Sequence, residues 1–396
     1  MRDPETILIT LSTFFIALAA GLLFSTVLKR FKIPWAITLI LGGMAIGPYG
    51  LGIIEINDVL MFLSEIGLIF LMFLAGTEVN ISAIKNVWKE SAIAALLTGL
   101  LPALTGFSIA ILFGYNLLIA ITLGIILINT SFAVVVPALE AKGLINTKIG
   151  KIVVASTMYQ DIASLTIFAI LVQLITPETF LPLPLWAVLL IFALGLGITI
   201  KVFLPKLKEY FKKYEQSHRK GDFYEGELKI TLIILIAMAI IFEFFKFETI
   251  VGAFFAGVLI SEAVKSEKIQ EKIHTLGYGV FIPMFFITIG IWTDLTLFIQ
   301  RETLALTTAI VIGSMIAKFV AGWTAGRIAG LDNKDSGLIA FTSVPQLITT
   351  LALATIAESQ GLLPSEILIA IITLAVISTI IGPLLTNKHI NSNYVK

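Results

Sequence analysis

The sequence contains no cysteine, which excludes disulfides, thiolate metal sites and cysteine nucleophiles. Histidine is scarce too. His218, His274 and His389 all lie in polar stretches, which argues against a multi-histidine metal site. Charge is sparse: Asp, Glu, Lys and Arg make up 13% of 396 residues, against about 25% in soluble domains. A net charge of +1 offers no basic surplus for a nucleic-acid partner. What is abundant is hydrocarbon, with 58% of residues hydrophobic. Such a chain belongs in a bilayer, and helices satisfy the backbone there, so the fold class expected is an all-α polytopic membrane protein.

About 20 apolar residues cross the hydrocarbon core as a helix. Thirteen such spans can be placed, near 6–27, 34–54, 59–78, 91–113, 115–139, 151–174, 183–204, 228–246, 248–263, 276–298, 303–326, 337–356 and 365–386. The eighth and ninth divide at Phe247-Glu248. The first resembles a signal peptide, but it is long and is followed by Lys29, Arg30 and Lys32, so it reads as a retained span. With the N-terminus outside, the cytoplasmic segments hold 21 basic residues and the opposite side 3. That asymmetry obeys the positive-inside rule and places the C-terminus in the cytoplasm of a multi-pass cell-membrane protein. The basic loop 205–227 reads as a cytoplasmic linker, with anionic membrane lipids as possible contacts.

A repeat is visible by offset. Gly67 and Gly279 each open similar runs, leading to Gly76 and Glu78 in one and Gly290 and Asp294 in the other. Asn129-Thr130-Ser131 recurs as Phe341-Thr342-Ser343, at the same offset of 212. Gly47 and Gly257 differ by 210. The offset carries span 3 to span 10 and span 5 to span 12, an odd number of spans, so the copies are inverted in the membrane. The expected organisation is repeat 1 over 1–175, a linker helix at 183–204, the basic loop, and repeat 2 over 228–387.

Asp161 lies near the middle of span 6, in Met158-Tyr159-Gln160-Asp161-Ile162. An ionisable group at that depth is costly, and cation–proton competition is a natural use for it. The plainer reading is a neutralised carboxylate that holds helices together. Lys318, mid-way along span 11, is the only lysine or arginine deep in a span. It is a salt-bridge partner for Asp161, a second proton carrier, or a fixed cation that satisfies half-helix carbonyls. Thr130 and Ser131 lie mid-span in span 5, and Ser343, Pro345 and Gln346 in span 12. Pro345 removes a backbone donor and disfavours helix at Val344. Broken helices beside Asp161 would expose carbonyls for an ion, although ordinary Ser/Thr packing gives the same letters. Glu65 lies within span 3 and lines a vestibule or pairs locally. Glu78, Glu243, Glu262 and Asp294 fall near span ends.

At these residues the chain resembles the monovalent cation:proton antiporter superfamily. Further matches are Pro34 through Gly47-Pro48, Phe73 to Glu78, Gly252 to Gly257, and Pro283 to Phe286 with Gly290. The family's paired motif falls on Gln160-Asp161 and its basic residue on Lys318. The resemblance implies a core of six helices around crossed broken spans 5 and 12, an elevator motion against a dimerisation domain, and a homodimer. It implies exchange of Na+ or K+ for H+ and no organic cofactor or enzymatic activity. Gln160 is like the Kef-type branch, whose members usually carry a nucleotide-binding regulatory domain that no stretch here is long enough to form. The family's arginine-glycine pair in span 12 is absent; Pro345-Gln346-Leu347 stands there. Sodium is favoured, followed by potassium. Gln160 cannot titrate, so exchange carried by Asp161 alone is electroneutral. The alternatives are a sodium-coupled organic-solute symporter of similar architecture, an intramembrane aspartyl hydrolase and a channel. The hydrolase would need a second mid-span aspartate, which the sequence lacks.

Overall fold

The computed structural model describes residues 4–28, 30, 35–55, 57–78, 87–140, 142–175, 201, 204–217, 225–244, 247–263, 267–294 and 300–394. Among them every regular element is helical. The apolar runs determine where helices form, and local polar groups determine where several begin. Asn57 and Asn116 accept from the amides of Leu60 and Ile119, and Asp332 from that of Asp335. Each thereby caps a donor that the first helical turn leaves unpaired.

The helices are α1 (Pro4–Leu28), α2 (Trp35–Ile46), α3 (Asp58–Thr77), α4 (Trp88–Leu112), α5 (Leu117–Ile126), α6 (Phe132–Glu140), α7 (Lys148–Ile175) and α8 (Leu204–Ser217). There follow α9 (Gly226–Phe244), α10 (Thr249–Ala263), α11 (Glu267–Leu276), a π-turn (Gly277–Phe281), α12 (Ile282–Trp292), α13 (Arg301–Ile328), α14 (Asn333–Thr342), α15 (Ile348–Ser359) and α16 (Ser365–Asn393). Seven helical stretches are long and apolar enough to cross a membrane, and α2, α5, α10 and α15 are shorter apolar helices.

Where residues are described, the expected spans fall on these helices, with physical departures. The second stops at Ile46, because Gly47-Pro48 turns the chain; Gly50 donates back to Gly47 and Leu51 to Ala45. The eighth and ninth do divide at Phe247, whose amide folds back to Phe242. The tenth begins earlier, at Glu267. There Ile269 and Ile273 make one buried stripe, so charged neighbours continue the helix beyond the apolar run. The basic loop 205–227 is not wholly a loop. Helix α8 occupies its first half, with Leu207 and Phe211 buried one turn apart and Lys208 paired with Glu262 at 3.4 Å. The seventh span, 183–204, lies outside the described residues apart from Lys201 and Leu204.

Two compact units are present. The first comprises residues 1–56, 81–168 and 286–396. In it α4 packs along α13, α13 along α14 and α16, and α2 beside α1. Gly43 of α2 meets α12 so closely that an added Cβ would stand 2.0 Å from the Ile287 carbonyl oxygen; at Gly290 it would stand 2.1 Å from that of Ile40. The second unit comprises residues 57–80 and 169–285. In it α3 packs on α10 in the same manner. A Cβ at Gly76 would lie 2.0 Å from the Phe254 oxygen, and one at Gly257 would lie 2.1 Å from the Phe73 oxygen. Contacts this short require glycine on both helices.

Candidate functional site

The site is built where two helical lines are interrupted, all within the first unit. Helix α5 ends at Ile126 and α6 begins at Phe132; α14 ends at Thr342 and α15 begins at Ile348. The two gaps are held to each other. The Ser131 amide donates to the Pro345 carbonyl at 2.7 Å, and the Thr130 hydroxyl to the Ser343 carbonyl at 3.2 Å. Pro345 cannot extend a helix, and its ring packs against Gly382 of α16, where a Cβ would fall 2.5 Å from Cγ.

Interruption leaves backbone groups unpaired at both cut ends. Lys318, fully buried on α13, supplies one answer. Its ammonium donates to the Ile128 carbonyl at 2.6 Å and to Thr130 Oγ1 at 3.1 Å. A cation thus sits at the C-terminal end of α5, where helix carbonyls concentrate negative charge. The Ser343 hydroxyl donates to the Lys318 carbonyl at 2.9 Å, which ties α13 to the second gap. These contacts are the ones that a carbonyl-satisfying Lys318 makes. No ion pair joins Lys318 to Asp161 among the described residues.

Asp161 is 7% exposed on α7. Thr349, in the first turn of α15, and Lys318 both lie near enough to act on its carboxyl electrostatically. That turn starts at Leu347, which provides no side-chain cap. Asp161 Oδ1 is buried with no hydrogen-bond partner, as are Ser131 Oγ, Gln160 Oε1 and Gln346 Oε1. Buried acceptors without partners are uncommon.

The surrounding braces were not singled out in the sequence. Gln160 Nε2 donates to Thr98 Oγ1 of α4, and the Ser164 hydroxyl donates to Asn129 Oδ1 in the first gap, both at 2.5 Å. Gln346 Nε2 donates to Ser314 Oγ at 2.6 Å, and its amide donates to Ser378 Oγ of α16 at 3.1 Å. The signal that could have found them is demand: a buried glutamine or a broken helix needs partners, and serine and threonine at mid-span supply them. All eight singled-out residues (Thr130, Ser131, Gln160, Asp161, Lys318, Ser343, Pro345 and Gln346) belong to this one assembly. Glu65 and Glu78 on and after α3, with Glu243 and Glu262, belong instead to the second unit.

A buried carboxyl and ammonium beside two mutually hydrogen-bonded helix interruptions, in an apolar chain whose described elements are all helical, point to a membrane transporter rather than an enzyme. Residues 14–387 match the family described as "Sodium/hydrogen exchanger, transmembrane", and the chain belongs to that family. Among relatives, "Probable Na(+)/H(+) antiporter 3" of Methanocaldococcus jannaschii is 32% identical over 95% of both chains. The "Na(+)/H(+)-K(+) antiporter GerN" of Bacillus cereus is 27% identical over 88% of both. The solved structure of the sodium proton antiporter MjNhaP1, also from Methanocaldococcus jannaschii, shares the fold. It has a TM-score of 0.68 at 16% identity, covering 98% of this chain and 99% of that one.

Proposed function

We propose that the protein is a secondary-active antiporter that exchanges Na+ for H+ across the cell membrane by alternating access at Asp161. The observation that carries this is the buried Asp161 carboxyl, with one oxygen unpartnered, beside two mutually hydrogen-bonded helix gaps. A carboxylate holding a monovalent cation and a carboxylic acid holding a proton carry the same net charge. The site can therefore cross a hydrophobic barrier loaded either way, but not empty. The ligands in this reading are Asp161, Gln160, Thr130 and Ser131. Ser343, Pro345 and Gln346 hold the second gap open, and Lys318 is a fixed charge at the end of α5.

Alternating access through inverted repeats is part of the proposal. Its support is the close-packed glycines. Adding 214 to Gly43 gives Gly257, and adding it to Phe73 gives Ile287, so the Gly43–Ile287 contact maps onto Gly257–Phe73. In the same way Ile40 maps onto Phe254 and Gly76 onto Gly290, so Gly76–Phe254 maps onto Gly290–Ile40. Contacts that exchange under one offset are what a two-fold relation produces. In this register Gly257 corresponds to Gly43 rather than Gly47. Thirteen spans, an outside N-terminus, a cytoplasmic C-terminus and a homodimer complete the reading. The basic asymmetry supports the orientation.

Sodium is the favoured ion, and the similarity to the Na(+)/H(+)-K(+) antiporter of Bacillus cereus keeps potassium as the second. Because Gln160 cannot titrate and Lys318 is occupied with backbone, one cation exchanges for one proton. Purified protein in vesicles should dissipate an imposed pH gradient when Na+ is added, and Asp161→Asn should not. Equal dissipation by that variant would sink the proposal.

A further inference from the structure

Thr98 has one proton and already uses it. Its hydroxyl donates to the Ala94 carbonyl at 2.5 Å, within its own helix α4. Toward Gln160 it can therefore only accept. The neighbouring group on α4 within reach of the same amide is the Ala95 carbonyl, 3.5 Å from Gln160 Nε2, and it too can only accept. Two acceptors on one side of an amide decide its orientation. The NH2 group must face α4, and Oε1 must face away. The reversed amide would bring Oε1 to a hydroxyl with no proton to give. Both side chains are 2% exposed. Gly99 brings α4 near enough that an added Cβ would lie 3.2 Å from Ile128 and 4.0 Å from Gln160 Cγ. The consequence is a fully buried Gln160 Oε1 that no protein group satisfies, next in sequence to Asp161.

We infer that Thr98 is a positioning residue for the transported cation: it fixes the Gln160 amide so that Oε1 serves as a neutral oxygen ligand. The inference rests on the antiport reading and goes beyond it, since Thr98 touches neither ion nor carboxyl. A neutral ligand strengthens cation binding without taking up a proton. Its removal therefore acts on cation affinity and leaves the proton branch in place. Valine matches threonine in shape but offers no acceptor, which leaves the amide only the Ala95 carbonyl at 3.5 Å and loosens its orientation.

The test measures Na+-driven proton flux in vesicles at fixed pH, normalised to protein incorporated. It compares wild type, Thr98→Val, Thr98→Ala, Thr98→Ser, Gln160→Ala and the double variant Thr98→Val/Gln160→Ala. Loss of one oriented ligand is expected to raise the half-saturating Na+ concentration about three- to tenfold in Thr98→Val, with the maximal rate little changed. Thr98→Ser should restore the wild-type value. The double variant should be no worse than Gln160→Ala alone, because both remove one ligand. Thr98→Ala keeps the comparison available if the valine variant folds poorly. Wild-type half-saturation in both Thr98→Val and Thr98→Ala, or effects of Thr98 and Gln160 that multiply, would overturn the inference. So would a drop in maximal rate alone. Absence of cation-driven flux in wild type would instead remove the antiport reading, and this inference with it.

Discussion

Alanine at Gly43 is the perturbation whose size can be worked most directly. Its Cβ would stand 2.0 Å from the Ile287 carbonyl oxygen, against 3.4 Å for an ordinary contact, so α2 and α12 must part by about 1.4 Å. The atom in the way is backbone, which cannot swing aside. A gap of 0.5–1 Å already forfeits a quarter to a half of a dispersion contact, so most of the packing along this seam is lost. Overpacking costs about 1–3 kcal/mol where side chains can adjust; the rigid obstacle places Gly43→Ala at or above about 3 kcal/mol. The better helix propensity of alanine returns about 1 kcal/mol at most. Gly279, whose added Cβ meets nothing within 4 Å, is the control. Thermal unfolding in detergent, followed by tryptophan fluorescence, should show Gly43→Ala well below wild type and Gly279→Ala at or above it. The proposed repeat adds a symmetry condition: Gly43→Ala, Gly257→Ala, Gly76→Ala and Gly290→Ala should lose comparable stability. A Gly43→Ala protein that melts with wild type would refute the close-approach reasoning.

Other outcomes follow from the same contacts. Lys318→Arg keeps a charge that cannot titrate. Exchange by this variant should stay insensitive to membrane potential, as in wild type, and potential-driven exchange lost only in the variant would make Lys318 a proton carrier. Ser378→Ala orphans the Gln346 amide, which the Ser378 hydroxyl accepts at 3.1 Å, and should cost about 1–3 kcal/mol in unfolding stability. Tyr394→Phe removes the hydroxyl that donates to Asp335 at 2.5 Å, near the start of α14. Amide exchange over residues 333–342 should quicken by about fivefold or more, for a loss of about 1 kcal/mol, and unchanged protection would show the bond idle.

Hydropathy made the spans legible because a bilayer demands long apolar runs, and charge bias gave them a direction. It could not reveal α8, whose Leu207 and Phe211 form a buried stripe inside a strongly basic stretch. Nor could it show that α11 continues the tenth span into charged sequence, because amphipathic and spanning helices obey different patterns. Asp161 and Lys318 stood out because burying charge is expensive. The gaps were legible at Pro345, which states its own helix-breaking chemistry, and reached Ser131 only through the repeat. Thr98, Ser164, Ser314 and Ser378 were not legible as braces, and Asn129 was legible only as a letter of the repeat. Serine and threonine occur throughout membrane helices, and only the partner across the interface distinguishes a brace from packing.

The central claim is that cation and proton compete for Asp161. The most direct test is the apparent Na+ affinity for exchange in vesicles, measured across a series of pH values held equal on both sides. Competition at one carboxyl predicts that, on the acid side, half-saturating Na+ rises about tenfold for each pH unit lowered. The maximal rate at saturating Na+ should stay constant over that range. A half-saturation point that does not move with pH, or a maximal rate that falls in its place, would contradict competition at Asp161.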